Sequence, residues 1–436
     1  MKSKAPAMVC ATVIYLSLVA FVLDMTSEAQ SSNVSAHWVS AWSAAMHAPL
    51  PFPGLPPTPV FENQTIRMIV RPTIGGERVR IRLSNAFGTS ALKIGGAHIA
   101  IAAQDSKTVP ESDHALTFGG ALSISIPPGA PALSDAVDLH VSQSSEIAVS
   151  LFLPDKTTSS TVHFWGQHKS YISETGDFSG KAEMPNATAN GSWYWLADVE
   201  VLSSDQAGAI VTLGDSITDG VGANQGDYTD WPDLLAGRLA SEKGSSPLAV
   251  VNEGIGGNRI LRDGAGVSAL ARFDRDILAQ PGVVGMIVLE GINDIGWPHL
   301  KPKLPNGTTM KEAPFAGELV TAQELIMGLQ QIIDRAHQHG MKVFGATLTP
   351  YQGADYYSED GEATRQGVNQ WIRTGAAFDG VFDFDAAVRD PSHPEQFREG
   401  YHSGDHLHPS AMGYKAMANA VDLTMLRSAV TSSTKK

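Results

Sequence analysis

The chain has 436 residues, enough for two or three domains. Hydrophobic residues make up 43% and charged residues 17%, which predicts a packed globule and excludes a disordered chain. The formal charge is −14 with no Lys/Arg cluster, which argues against a nucleic-acid partner held through phosphates; the acidity reads as a solubility device.

The N-terminus carries Lys2 and Lys4, an apolar stretch from about Ala7 to Val22, and Ser27-Glu28-Ala29 with small residues where a signal peptidase reads. The expectation is a signal peptide over residues 1–29 and a secreted or periplasmic protein, with no stable membrane insertion after cleavage. The alternative is a single membrane anchor, but the stretch is shorter than the roughly 20 residues a span prefers. Cys10, the only cysteine, lies inside this segment, so the mature chain would have no disulfide and no Cys-ligated metal. Asn33, Asn63, Asn186, Asn190 and Asn306 each begin an Asn-x-Ser/Thr sequon.

Residues 30–205 read as an all-β, sandwich-like domain. Val79, Ile81 and Leu83 alternate with Arg78, Arg80 and Arg82, and Ile147, Val149, Leu151 and Leu153 form a second period-two run. Such runs predict half-buried antiparallel strands. Gly75-Gly76, Gly95-Gly96, Gly119-Gly120 and Pro127-Pro128-Gly129 mark turns between them. The small, polar stretch from Thr175 to Gly191 reads as an exposed loop.

Residues 206–436 change grammar. Apolar runs at Ala209–Leu213, Leu248–Asn252, Val283–Leu289, Val343–Leu348 and Val381–Phe384 predict strands. Helices are predicted at Trp231–Glu242, Thr321–His339, with Gly340 as its stop, and Glu362–Thr374; a last one runs from Ala411 towards Leu426. This alternation predicts an α/β fold with a parallel, doubly wound sheet. Trp297–Gly317, with four prolines and two glycines, reads as an irregular loop and a candidate wall or lid.

Four polar elements follow predicted strands or stand near the C-terminus: Gly214-Asp215-Ser216, Glu253-Gly254-Ile255-Gly256-Gly257-Asn258, Gly291-Ile292-Asn293-Asp294 and Asp405-His406-Leu407-His408-Pro409. Each has an ordinary reading as turn punctuation, helix cap or surface loop. Together they supply the parts of acyl transfer. Ser216 can be the nucleophile, His408 its base, and Asp405 the group that orients the imidazole. The Ser216 and Gly257 N–H groups and the Asn293 amide can meet an oxyanion.

These blocks resemble the GDSL/SGNH hydrolases, whose four letters fall on Ser216, Gly257, Asn293 and His408. The resemblance spans about Ile210 to Ala420. It implies a flavodoxin-like parallel sheet, ester hydrolysis through an acyl-enzyme, and no cofactor. Asn252–Asp263, Ala269–Asp276 and Asp383–Asp390 resemble the secreted arylesterase/acylhydrolase subfamily associated with xylan-degrading bacteria. That implies short acyl esters, acetyl above all, on plant polysaccharide, with a small-molecule or polysaccharide ester as the partner. Arg259 belongs to the same likeness and receives no role.

Three alternatives stand beside this reading. His402, His406 and His408 with Asp405 could bind a metal, though that would leave Ser216, Gly257 and Asn293 unexplained. A lysophospholipase or lipase would use the same chemistry, but no strongly apolar lid is evident. A non-catalytic carbohydrate-binding protein would not need an intact Ser216, Asn293, Asp405 and His408. Trp231, Trp297, Tyr351, Tyr356 and Tyr357 are candidates for an acyl or sugar wall, or for ordinary packing.

Overall fold

The structure is a computed structural model. It describes residues 36–50, 58–164, 166–204, 206–301 and 313–433, with Met1 and Met310. The expected signal over residues 1–29, the sequons at Asn33 and Asn306 and part of the Trp297–Gly317 loop lie outside the described residues.

The first half of the described chain forms two main antiparallel sheets. One holds the strands His37–Ser43, Leu196–Ser203, Gly76–Ser84 and Val137–Val141 in that order, with Pro131–Leu133 also pairing Gly76–Ser84. The other runs Thr188–Asn190, Ser170–Thr175, Gln64–Val70, Ile147–Leu153, Gly96–Ile101, His114–Ala115. Val79, Ile81 and Leu83 are fully buried, as the alternation predicts. The arginines between them each face a carboxylate directly across the sheet. Arg78 opposes Asp138, Arg80 opposes Glu200 and Arg82 opposes Asp198, with N–O distances of 2.9, 2.6 and 2.7 Å. Directly opposite charges are the pairing a sheet face favours.

That charged face is the solvent face that period two suggests only at its Arg78–Asp138 pair. Asp198 and Glu200 are buried, and Arg82 also donates to the Ala279 carbonyl at 2.7 Å and to Gln280 Oε1 at 2.6 Å in the second half of the chain. The sheet is covered on both sides at Arg80 and Arg82, so that part of its polar row becomes an internal seam, while Arg78 and Asp138 stay exposed. The Thr175–Gly191 stretch departs from the expected loop in a similar way. Most of its side chains face water, yet Ser179 and Met184 are buried, and the fully buried Arg67 donates to the carbonyls of Phe178 and Lys181. One guanidinium thus fastens this stretch over the sheet.

The second half is the expected α/β fold. Its five parallel strands are Gly208–Gly214, Leu248–Gly254, Val283–Leu289, Lys342–Ala346 and Gly380–Phe382. Numbered along the chain, their spatial order is 2-1-3-4-5. This is the flavodoxin-like order, which places ligands at the carboxyl ends of the strands. Thr321 and Glu324 form a capping box that starts helix Ala322–Gln338, and Gly340, at φ 73°, follows its end. The last predicted helix is two helices, Ala411–Ala420 and Leu423–Ser433. Asp422 breaks it by accepting the N–H groups of Thr424 and Met425. Phe384 likewise leaves the predicted fifth strand and opens helix Phe384–Val388, which Asp383 caps. Among the described residues no helix is long and apolar enough to cross a membrane.

The residues following Val34 cluster into one compact unit that contains both halves. The β-rich half covers the edge strand Leu248–Gly254. The Thr73 hydroxyl lies 3.1 Å from Val250 N and 3.0 Å from Val250 O, so the edge strand's backbone is partnered there. Ser40 N also donates to the Pro281 carbonyl at 2.9 Å. A bare edge would template aggregation.

A fragment starting at Ala207 should therefore be less soluble and less stable than the whole chain in thermal unfolding. Thr73→Val should cost about 1–3 kcal/mol by denaturant titration, because it leaves the Val250 N–H buried without its acceptor. A fragment as stable as the whole chain would show that the edge needs no cover.

Candidate active site

The first parallel strand ends at Gly214, and the chain turns at once into a single helical turn, Ser216–Asp219. Asp215 caps that turn by accepting the Ile217 N–H at 2.9 Å. Burial pushes the Asp215 carboxyl up to about 7, against the Ile217 hydrogen bond and the nearby His408. The cap holds Ser216 at the strand end with its hydroxyl towards a cavity of about 480 Å³.

Ser216 Oγ lies 2.8 Å from His408 Nε2, and His408 Nδ1 lies 2.5 Å from Asp405 Oδ2. The other Asp405 oxygen accepts the N–H groups of Leu407 and His408 at 3.0 and 2.9 Å and the Ser403 hydroxyl at 3.1 Å. Partial burial works against ionisation of Asp405. The hydrogen bond and charge of His408 and the two backbone donors outweigh it and hold the carboxyl well below the usual range. Gly222, at φ 90°, lies under this loop, where a Cβ would meet the Pro409 carbonyl and the His408 side chain. Only glycine suits that backbone and that approach.

Gly257 and Asn293 line the same cavity as Ser216. Gly257 has φ 79°, and a Cβ there would press on Ala265 and Trp297. Asn293 follows Gly291 and Ile292 in the short helix Ile292–Gly296. Its Nδ2 donates to the Asn258 carbonyl at 3.0 Å, and its Oδ1 accepts the Tyr356 hydroxyl at 3.3 Å. These contacts fix which end of the amide is the donor and leave its second N–H for another acceptor. Behind it, Asp294 accepts the N–H groups of Ile260 and Leu261 at 2.7 and 3.1 Å, fixing the segment after Asn258. Burial raises the Asp294 carboxyl to about 6, the two backbone hydrogen bonds opposing it.

The structure thus brings Ser216, His408, Asp405, Gly257 and Asn293 together. The other histidines of the dense cluster do not join them. His402 and His406 stack with ring centroids 4.2 Å apart, and His402 Nδ1 accepts the Gly404 and His406 N–H groups. Among the described residues no three His, Cys, Asp or Glu side chains are grouped to hold a metal ion. Of the candidate aromatic walls, Trp297 and Tyr356 line the cavity. Trp231 and Tyr351 are fully buried, Trp231 against Phe384 with centroids 5.2 Å apart, and Tyr357 packs on Tyr351 at 5.1 Å.

Arg259, to which the sequence gives no role, braces that wall. Its guanidinium lies 5.1 Å from the Trp297 ring centroid and 5.5 Å from that of Phe315, and pairs with Glu318 at 2.5 Å. It also donates to the Asp263 carbonyl. The sequence also leaves Arg272 without a role. This side chain, fully buried on helix Ala269–Phe273, donates to the Gly214 carbonyl at 3.0 Å, the Glu253 carbonyl at 2.7 Å and Asn258 Oδ1 at 2.9 Å. Asp276 lies 3.3 Å away and Glu290 3.9 Å away. A third residue without a sequence signal is Gln167 of the β-rich half, which lines the cavity beside Ser216.

Replacing Arg272 with Met should lower stability by about 3–5 kcal/mol in denaturant titration, since the Gly214 and Glu253 carbonyls, Asn258 Oδ1 and Glu290 would lose the buried guanidinium, while Asp276 would keep Arg275. A midpoint within experimental error of wild type would show that these acceptors find other partners.

Residues 212–416 match the model of the GDSL-like lipase/acylhydrolase family. No curated protein matches the chain. Among solved structures, the chain is similar to a catalytic mutant of Axe2, an acetylxylan esterase from Geobacillus stearothermophilus, at 20% identity and TM-score 0.36 over 49% of this chain and 91% of that one. It is also similar to a GDSL-like lipase from Bacteroides thetaiotaomicron, at 15% identity and TM-score 0.35 over 50% and 88%. LAE5, an α/β hydrolase from the metagenome of Lake Arreo, Spain, matches at 18% identity and TM-score 0.36 over 51% and 95%. Over residues 212–416, which lie in its α/β half, the chain is thus similar to the GDSL-like lipase/acylhydrolase family.

Proposed function

We propose that this protein is a secreted or periplasmic serine esterase that removes short acyl groups, acetyl first among them, from plant polysaccharide or related carbohydrate. The observation that carries the chemistry is the unbroken line from Ser216 through His408 to Asp405 at an open cavity. Ser216 Oγ attacks the ester carbonyl carbon while His408 Nε2 takes its proton. Asp405, ionised through the working pH range, holds the imidazole with Nδ1 protonated and stabilises the imidazolium. The carbonyl oxygen becomes an oxyanion among the Ser216 N–H, the Gly257 N–H and the free N–H of Asn293. His408 then gives its proton to the leaving alkoxide, leaving an acyl-serine. Water, deprotonated by His408, attacks that ester and releases the carboxylic acid with Ser216 restored. No step requires a metal or cofactor.

The carbohydrate reading draws on the subfamily likeness and on the cavity wall. Trp297, braced by Arg259, lines the cavity, and an indole is the kind of surface on which a sugar ring packs. The cavity is open to solvent, so a bulky alcohol can remain outside while a small acyl group is held.

Ser216→Ala should fold as wild type and lose nearly all turnover of p-nitrophenyl acetate, with chelator leaving wild-type turnover unchanged. An organophosphonate should label Ser216; inactivation through another serine would remove the assignment. Asn293→Ala should lower kcat roughly 10²–10³-fold with KM little changed, because a donor to the oxyanion acts in the transition state. A normal kcat with a lowered denaturant midpoint would reduce Asn293 to a structural residue. Release of acetate from acetylated xylan should exceed release of fatty acid from lysophospholipid, and the opposite order would overturn the carbohydrate reading.

A further inference from the structure

His163 comes from the β-rich half, in the two-residue strand Val162–His163, and lies behind the nucleophile turn at 3% exposure. Its two ring nitrogens both face acceptors. Nδ1 is 2.9 Å from the Ala45 carbonyl, and Nε2 is 3.0 Å from Asp219 Oδ1. A carbonyl cannot donate, and neither can an ionised carboxylate, so this environment suits a ring carrying both protons. The adjacent His47 has the complementary pattern. Its Nδ1 lies 2.7 Å from the Ala48 carbonyl, while its Nε2 accepts the Phe164 N–H at 3.4 Å, so it is neutral. Burial and the nearby His163 charge push the His47 imidazole down to about 3. In His163 burial acts the same way, but the charge and hydrogen bond of Asp219, with the Ala45 carbonyl, prevail over burial and Arg272 and raise it.

Asp219 is the last residue of the turn that begins with Ser216. Its second oxygen, Oδ2, accepts the Gly256 N–H at 2.9 Å, one residue before Gly257. A continuous chain therefore runs from the β-rich half, through the nucleophile turn, to the Gly256-Gly257 backbone. We propose that His163 is a positioning residue for catalysis: by pairing with Asp219 it fixes the Gly256 peptide and so aims the Gly257 N–H at the oxyanion. The proposal rests on the reading of Gly257 as an oxyanion donor.

Other contacts hold the same turns in place without His163. Asn252 Nδ2 donates to the Thr218 carbonyl at 2.7 Å, and Ile255 N donates to the Gly214 carbonyl at 3.0 Å. Loss of His163 would leave these strand-end ties intact and release the part nearest Gly257. The Asp219 carboxylate would remain buried without its cation, free to turn away from Gly256. The effect should appear where charge develops on the substrate, not where the substrate first binds.

The test compares wild type with His163→Ala, His163→Gln, Asp219→Asn and the double variant His163→Ala/Asp219→Asn. It measures kcat and KM for p-nitrophenyl acetate per folded molecule, with the folded fraction from near-ultraviolet circular dichroism. It also measures inhibition by a trifluoromethyl ketone, whose serine adduct carries an oxyanion. His163→Ala and Asp219→Asn should each lower kcat about 10- to 100-fold, with KM within about threefold of wild type. Ketone affinity should fall by the same factor as kcat. The double variant should be no worse than the poorer single, because both remove one device. His163→Gln keeps a donor towards Asp219 and should recover part of kcat; it carries the test if the alanine variant does not fold. Unchanged kcat and ketone affinity in folded His163 variants would overturn the proposal, as would losses that multiply in the double variant or fall on KM. If Gly257 plays no part, Ser216→Ala still abolishes turnover while the His163 variants stay at wild-type kcat. An inactive wild type would instead remove the esterase reading itself.

Discussion

Arg272 holds the site together. Three turns must meet for the chemistry: the one after Gly214 that carries Ser216, the one after Glu253 that carries Gly257, and the segment at Asn258 on which Asn293 rests. The Arg272 guanidinium donates to all three, at Gly214 O, Glu253 O and Asn258 Oδ1. Its planar fork suits this task, because fixed donors on one rigid group set three backbones against one another. The arrangement carries an electrostatic cost. Asp276 and Glu290 are buried close to Arg272, and Glu253 and Asp215 lie in the same region. Burial and mutual repulsion raise the Glu253, Glu290 and Asp215 carboxyls, and the charge of Arg272 opposes that rise at Glu253 and Glu290. A hydrophobic residue at 272 would fill the space but leave the three turns unlinked.

The β-rich half extends the same principle to the outside of the α/β fold. Its first sheet presents a charged row of Arg80, Arg82, Asp198 and Glu200, and Arg82 continues that row into Ala279 and Gln280. Gln280 in turn donates to Glu253 Oε1 at 2.6 Å, on the strand that leads to Gly257. Thr73 partners the backbone of that strand, His163 reaches Asp219, and Gln167 joins the cavity wall. Several of the contacts between the halves therefore fall on the elements that carry Ser216 and Gly257. This gives the β-rich half a physical reason to be present even if it binds no ligand of its own: it desolvates and clamps the catalytic turns from behind.

The parallel sheet was legible because each of its inner strands is an apolar run long enough to be buried on both faces, and each ends in Gly or a polar residue. The helix after Thr321 was legible from the helical spacing of Leu325, Leu329, Ile332, Ile333 and Ala336 and from its Gly stop. The break at Asp422 was not, since Ala411–Leu426 keeps a helical pattern and only the capping geometry of Asp422 interrupts it. The arginine alternation at 78–82 was read as strand, but its polar side could not be assigned to a buried seam. A period of two shows that two faces differ, not what covers the second one. Arg67, Arg272 and His163 carried no signal for the same reason. Each acts mainly through distant partners, up to 118 residues away, and no local spacing records such contacts.

The catalytic parts divide along the same line. Asp405 and His408 form a nearly self-contained device: one loop supplies the carboxylate, the imidazole and the backbone N–H groups that fix both. Its geometry depends on a three-residue spacing, so the sequence reveals it, and it can sit near the surface, with the Asp405 side chain 46% exposed. The oxyanion donors have no such local support. A peptide N–H or an amide can stabilise charge only if it is already aimed when the charge appears, since reorienting it would consume the stabilisation it offers. That aim needs a rigid, dry surrounding, and here it comes from Arg272, Asp219, Asp294, Asn258 and Tyr356, all buried and drawn from separate elements. Proton transfer tolerates a loop at the rim, whereas oxyanion stabilisation requires the packed interior. The extra half of this chain lies on the side where that requirement falls.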